Sequence, residues 1–232
     1  MNGTLYGLGV GPGDPELITL KSWRILSMAE VVAYPVAPSG TTRARDVASH
    51  FIPEDVIELP LEIPFGSGDA DTAPAYDSAA ERISEHLSAG RNVAFLCMGD
   101  PLFHGSFSYL LDRLAERHSV EVVPGVAAPM SCAAALQRPL ARRTTILKVL
   151  PATLDGQRLR NEIAVGPATL VFIKAGRHIP ALRQLLEEAA LLDSAFVVEE
   201  AGSERQRLLP MRDVPEASPY FSTVMVFAGE GA

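Results

Sequence analysis

Cysteine is nearly absent: Cys97 and Cys132 are the only two in 232 residues. That count excludes a disulfide-stapled scaffold and a cysteine-built metal centre. Each thiol sits among small or apolar neighbours, as a buried free cysteine does rather than a disulfide partner. Histidine is thin and scattered, at 50, 86, 104, 118 and 178, without metal-ligand spacing, so no metal site is expected. Positive charge is also short. Twenty Lys and Arg against 28 Asp and Glu leave a net charge of −8, which excludes broad attraction to nucleic acid or to an anionic membrane surface. An anionic ligand must then be met by a local cluster of cations. No apolar run approaches the roughly 18 residues of a membrane span. The start, Met1-Asn2-Gly3-Thr4, has no basic segment before an apolar core, so a cytoplasmic protein is expected. There is no Gly-x-Ser-x-Gly elbow and no supported Cys/His pair, so nucleophilic catalysis is not indicated.

What is present is a hydrophobic fraction of 47%, enough for a sizeable core. Short runs rich in Val, Ile and Phe alternate with segments of helical period, the pattern of α/β units with largely parallel strands. Strands are expected at 5–9, 31–34, 56–59, 93–97 and 120–123, then at 146–150, 170–174, 196–199, 205–211 and 222–227. The last three follow without an intervening helix, which implies antiparallel pairing. The break at Val123-Pro124-Gly125 divides the chain into an expected N-terminal α/β domain, 1–125, with a mainly parallel sheet, and a C-terminal α/β domain, 126–232, with a mixed sheet. Asp14 as N-cap and Pro15 at the first helical position start an expected helix that runs to about Ala29. Residues 62–74 carry Gly, Asp and Pro without apolar period and read as a surface loop, either a plain excursion or a lid.

"GLGVGPGDPE", residues 7–16, has the look of a phosphate-gripping turn. The details argue otherwise. A phosphate loop ends in Gly-Lys-Ser/Thr, whereas this one ends Gly-Asp-Pro-Glu, and neither Gly-x-Gly register places a third glycine where a dinucleotide fold needs it. Asp14 and Glu16 would also occupy the helix start that an anion would use. Gly13-Asp14-Pro15 recurs as Gly99-Asp100-Pro101, again directly after a strand. With Pro124-Gly125 these make three glycine-bearing turns at the carboxyl ends of strands, where open α/β sheets bind ligands. Asp100 either caps its turn or accepts hydrogen bonds from a ligand, and His104 is the one histidine placed for a role. Arg138, Arg142 and Arg143, with Lys174 and Arg177 further on, read either as solvated faces or as a rim for carboxylates.

Taken in order, "GLGVGPGDPELITLKSWRIL", "AEVVAYP", "MGDPLFHG", "VVPGVAAPMSCAAAL", "FIKAG" and "VEEAGSERQR" resemble the tetrapyrrole (cobalamin precursor) methyltransferase family over essentially the whole chain. The resemblance implies two α/β domains with the active-site cleft between them, S-adenosylmethionine as cofactor, a small-molecule tetrapyrrole substrate and a homodimer. "RPLARRTTILKVLPAT" with "GDPLFHGSFSYL" points, within the family, to methylation of carbon-20 of precorrin-2, giving precorrin-3A, with cobalt-factor II as the alternative substrate. By position it implies cofactor contacts at Gly99, Asp100, Pro101, Phe103, Ala127, Ala128, Ile173, Lys174, Ala201, Gly202 and Thr223. The macrocycle's carboxylates then give Arg138, Arg142, Arg143 and Arg177 a purpose, and Pro12, Gly13 and Asp14 are expected to face the macrocycle. Asp14, Asp100 and His104 are the candidates for removing the carbon-20 proton, with solvent as an equal contender. The alternatives are a methyltransferase of the same fold acting on RNA or protein, RNA being disfavoured by the charge, and a non-catalytic tetrapyrrole-binding protein.

Overall fold

The computed structural model describes residues 2–64, 69–216 and 218–228. Its contacts divide the chain into two compact units, Met1–Ala127 and Ala128–Ala232. In the first, β1 (Thr4–Gly9), α1 (Leu20–Leu26), β2 (Val31–Val36), α2 (Arg43–Ala48), β3 (Ile57–Glu62), α3 (Asp69–Ser88), β4 (Val93–Cys97), α4 (Phe107–Leu114) and β5 (Ser119–Val123) follow in order. All pairings are parallel and the strand order is β3-β2-β4-β1-β5. Sheets of this kind are covered on both faces, and β4 accordingly reads as a continuous buried run. One face packs Leu5, Val93 and Phe95 under α3 and α4; the other packs Leu8, Val32 and Leu96 under α1 and α2. Neighbouring strands β1 and β4 therefore send their chains to opposite faces. That divergence opens a crevice at their carboxyl ends, where both Gly-Asp-Pro turns lie.

Two local expectations change. The helix expected from Asp14 to Ala29 is divided: the Asp14 carboxylate accepts only the Glu16 N–H and closes a single 3-10 turn, Pro15–Leu17. Ile18 is then extended (φ −66°, ψ 137°), and Thr19 Oγ1 accepts the Ser22 N–H to start α1 afresh. Two good N-caps five residues apart make two short elements. The loop expected at 62–74 is also shorter, since Glu62 closes β3 and Asp69–Pro74 forms the first turns of α3. The buried apolar stripe of α3 runs through Tyr76, Ala79, Ala80, Ile83 and Leu87, and the residues of its early turns, Asp69–Pro74, carry no apolar period in sequence. Residues 65–68 of that expected loop lie outside the described residues.

The second unit consists of α5 (Ala128–Leu136), β6 (Ile146–Pro151), α6 (Gly156–Ala164), β7 (Ala168–Ile173), α7 (Ile179–Glu188), β8 (Ala195–Glu199), β9 (Arg207–Pro210) and β10 (Ser222–Ala228). Strand order is β6-β7-β10-β8-β9; β6 and β7 are parallel, and β10 pairs antiparallel with both β7 and β8. The sheet is mixed, as the closing run of strands implies. Helices α6 and α7 cover one face, while α5 covers the other through Cys132 and Ala133 against Val171, Val198 and Met225.

Polar ties complete the packing. Glu58 takes two hydrogen bonds from Arg45 and one from Tyr34. These hold its carboxyl down to about 2, while burial and the bond to Glu58 push the Tyr34 hydroxyl up to about 12. Three histidines are kept neutral beside arginines. Arg91 donates to His86 Nδ1 (3.0 Å) and Arg177 to His178 Nε2 (3.2 Å). Arg117 donates to Ser84 Oγ, leaving the Ser84 hydrogen for His118 Nε2 at 2.7 Å. Burial first, and the neighbouring guanidinium second, lower all three below the usual histidine value of 6.5. The unfolded chain thus takes up protons before the folded one does, so stability is full above pH 6.5 and is lost as pH falls through it. Urea midpoints should drop between pH 7.5 and 5.5, and His86→Gln with His118→Gln should flatten the drop; an unchanged slope would exclude this origin.

Candidate functional site

Three turns meet at the carboxyl edge of the first sheet. Gly99 N–H bonds to the Gly11 carbonyl at 2.7 Å and Val10 N–H to the Cys97 carbonyl at 2.9 Å, which seals the turn after β1 to the turn after β4. A Cβ on Gly9 would stand 2.6 Å from Gly125 Cα, and one on Gly125 only 2.2 Å from the Gly99 oxygen. No side chain fits at either point. Asp100 fastens the arrangement: Oδ1 accepts the N–H groups of Leu102 (2.9 Å) and Phe103 (3.0 Å), and Oδ2 that of Gly125 (3.0 Å). The bare backbone of the opening stretch therefore serves first to let loop lie on loop.

The electrostatic consequence settles the phosphate question. Phosphate at a glycine turn is held by unpaired N–H donors. Here the N–H groups of Val10, Gly99, Leu102, Phe103 and Gly125 are each already bonded within the protein. The Asp100 carboxylate, one of the candidates for removing the carbon-20 proton, likewise accepts three N–H donors. Asp14, half-buried, and His104, exposed and in the left-handed region at φ 54°, remain at the same edge. The His104 ring meets Phe103 edge-on at 5.2 Å. Neither cysteine contributes chemistry. Burial pushes the Cys97 thiol well up, with the Asp100 charge adding to it, and burial takes Cys132 to about 12.

The second unit gathers its own group at one edge. Ile173 ends β7, Lys174 follows it at φ 56°, Ala201 and Gly202 follow β8, and Thr223 is the second residue of β10, opposite Val198. Lys174 and Glu200 (φ 48°), with His104, are non-glycine residues in the left-handed region, where side chains are strained and functional loops concentrate such strain. Thr223 is 7% exposed and its hydroxyl bonds the Cys132 thiol, so its side chain faces the core. Arg177 and the aromatic pair Tyr220 and Phe221 belong to the same edge: Ala175 N–H bonds to the Ser222 carbonyl and Glu200 N–H to the Phe221 carbonyl.

The arginine rim does not form as one group. The Arg138 guanidinium lies 4.7 Å from the Phe196 ring and 5.1 Å from the Phe227 ring, a packing role. Phe227 pairs with Thr169 at the start of β7, and Arg142 and Arg143 immediately precede β6, whose Ile146 pairs with Ala168. Within this unit the three arginines stand at the amino edge of the sheet, while Arg177 is at the carboxyl edge, about 17 Å away along the strands. The spacing "QRPLARR" gives no sign of this, because it does not say which end of the sheet the loop reaches. An apolar recess lined by Ile163, Pro167, Leu170, Ala189 and Phe227 is also at the amino edge, and no expected site residue lines it. The sequence analysis did not single out Tyr220 and Phe221; "SPYFS", with two adjacent aromatics in a polar loop, was the available signal.

A parallel sheet with Gly-Asp-Pro turns at its crevice, followed by a mixed sheet with strained turns at its carboxyl edge, defines an α/β protein of the open-sheet class, whose members bind ligands at the carboxyl ends of strands. The family model of Tetrapyrrole (Corrin/Porphyrin) Methylases matches residues 4–213. The chain belongs to this family, as its motifs suggested. It is 42% identical over 237 residues to Cobalamin biosynthesis protein CobIJ of Mycobacterium tuberculosis, covering 98% of this chain but only 46% of that protein. The chain thus spans about half the length of that relative. Precorrin-2 C(20)-methyltransferase of a Sinorhizobium species is 36% identical over 233 residues, 97% of this chain and 95% of that one. Among solved structures, uroporphyrin-III C-methyl transferase from Thermus thermophilus, complexed with S-adenosylhomocysteine, superposes with TM-score 0.69 at 26% identity, covering 97% of this chain and 92% of that one.

Gly125→Ala should lower unfolding stability by roughly 1–3 kcal/mol, the scale of overpacking. Gly156→Ala, where a Cβ meets only Arg160 at 3.9 Å, should change it by less than about 0.5 kcal/mol. Urea denaturation of both variants checks this, and equal effects would contradict the three-turn contact.

Proposed function

We propose that the chain transfers a methyl group from S-adenosylmethionine to carbon-20 of precorrin-2, giving precorrin-3A in cobalamin biosynthesis. The supporting observation is identity to a precorrin-2 C(20)-methyltransferase that runs nearly end to end in both chains. Cobalt-factor II is the alternative substrate. A cytoplasmic homodimer belongs to the same reading; no helix among the described residues is long and apolar enough to cross a membrane.

The residues fit such a cofactor. When bound, it supplies an electrophilic methyl group on a positively charged sulfonium. A full anion pressed against that charge would favour the ground state over the charge-dispersed transition state. Both Asp100 oxygens are turned onto N–H donors of the protein's own turns, and those turns offer main chain and small groups to the cofactor. Proposed cofactor contacts are Gly99, Asp100, Pro101, Phe103 and Ala127 in the first unit, with Ala128, Ile173, Lys174, Ala201, Gly202 and Thr223 in the second, Thr223 through its backbone. The protein's main contribution is alignment, which supplies roughly 7–11 kcal/mol in favourable cases. Pro12, Gly13 and Asp14 meet the macrocycle, and the exposed Arg177 pairs with one of its carboxylates. Asp14, Asp100 and His104 are the candidates to receive the carbon-20 proton, with solvent as an equal contender.

Methyl-labelled S-adenosylmethionine incubated with the protein and either precorrin-2 or cobalt-factor II tests the reading. Label at carbon-20 of precorrin-2 is expected; label only on the cobalt compound moves the assignment to the alternative, and label on neither sinks both. Asp14→Asn should lower kcat about a hundredfold and leave S-adenosylhomocysteine affinity within about twofold. Arg177→Ala should raise the tetrapyrrole KM about tenfold, while Arg142→Ala with Arg143→Ala leaves it unchanged. The reverse pattern would return substrate binding to the amino edge.

A further inference from the structure

The turn joining β8 to β9, residues 200–206, is longer than an antiparallel pair requires. It contains two left-handed residues, Glu200 and Gly202 (φ 78°), yet it is tied at three levels. At its base the buried Glu199 pairs in register with Arg207, whose guanidinium is 3.3 Å from the carboxylate. Above that, Arg205 Nε lies 2.7 Å from Glu200 Oε2. In both pairs the arginine is more than half exposed while the carboxylate is buried or nearly so. The third tie reaches the backbone itself. Gly202 N–H donates to Gln206 Oε1 at 2.8 Å, while Gln206 N–H closes the turn onto the Ser203 carbonyl at 3.0 Å.

We infer that Gln206 is a positioning residue for the cofactor, acting through the peptide between Ala201 and Gly202. That peptide is planar and trans, so its N–H and C=O point in opposite directions. Fixing the N–H on the Gln206 side chain turns the Ala201 carbonyl the other way, as an acceptor for an N–H donor of the cofactor. The bond also spends the Gly202 donor, as Asp100 spends that of Gly125. Without Gln206 the glycine peptide keeps only the turn bond that spans it, from the Ser203 N–H to the Glu200 carbonyl at 3.1 Å; a central turn peptide can flip under such a bond, and ordering it on binding weakens affinity. The inference rests on the proposed cofactor; the tie itself does not.

Gln206→Leu removes the acceptor and Gln206→Glu keeps one. Gln206→Leu is expected to weaken S-adenosylhomocysteine binding about tenfold by calorimetry and to raise KM for S-adenosylmethionine in proportion. The kcat and the KM for the tetrapyrrole should stay as in the wild type. Gln206→Glu is expected to restore cofactor affinity to within about twofold. With no ligand present, the Gly202 amide should exchange at least about tenfold faster in Gln206→Leu than in the wild type. Wild-type affinity in Gln206→Leu, or no rescue by Gln206→Glu, overturns the positioning role. Unchanged Gly202 exchange overturns the tie. A wild-type protein that binds no S-adenosylhomocysteine, with Gly202 still protected by Gln206, brings down the proposed cofactor and this role with it, but leaves the tie standing.

Discussion

Three stretches of main chain touch without side chains between them, at Gly9, Gly99 and Gly125, and the carboxyl edge of the first sheet depends on that contact. A single methyl group at Gly125 would fall 2.2 Å from the Gly99 oxygen. Close approach alone would leave three polar turns pressed together with unpaired donors, which is costly. Asp100 removes the cost by collecting three of those N–H groups on one carboxylate. The contact makes the turns rigid, and the hydrogen bonding makes them poor in free donors. Together these suit an uncharged or cationic ligand face better than a phosphate.

The second unit reaches a similar end by other means. Its turns after β7 and β8 are built from Lys174, Glu200 and Gly202 in the left-handed region, and Gln206 takes the Gly202 donor. Side-chain acceptors meet backbone N–H groups in both units, Asp100 in one and Gln206 in the other. This economy leaves shape and carbonyl acceptors as what the two edges offer a ligand.

Alternation of apolar strands with helical segments made the two α/β sheets legible, and the lack of a helix among the final strands made the antiparallel pairing legible. The two Gly-Asp-Pro turns were readable as neighbours because each directly follows a strand. Other features were hidden for physical reasons. The early turns of α3 have no apolar period in sequence before Tyr76, and two adequate caps at Asp14 and Thr19 split a helix that a single apolar face seemed to join. The purpose of Gly9 and Gly125 depends on contacts 116 and 26 residues apart in the chain, with Gly125 and Gly99 respectively, which no local pattern records. Arg138 and Arg177 look alike in sequence, yet the Arg138 guanidinium lies over two phenylalanine rings while Arg177 is exposed beside His178.

Calorimetry of the protein with S-adenosylhomocysteine and, separately, with ATP is the most direct test of an edge whose donors are already spent. S-adenosylhomocysteine should bind with a Kd on the order of micromolar, and ATP should give no binding heat at about 1 mM. Binding of ATP with none of S-adenosylhomocysteine would contradict the account.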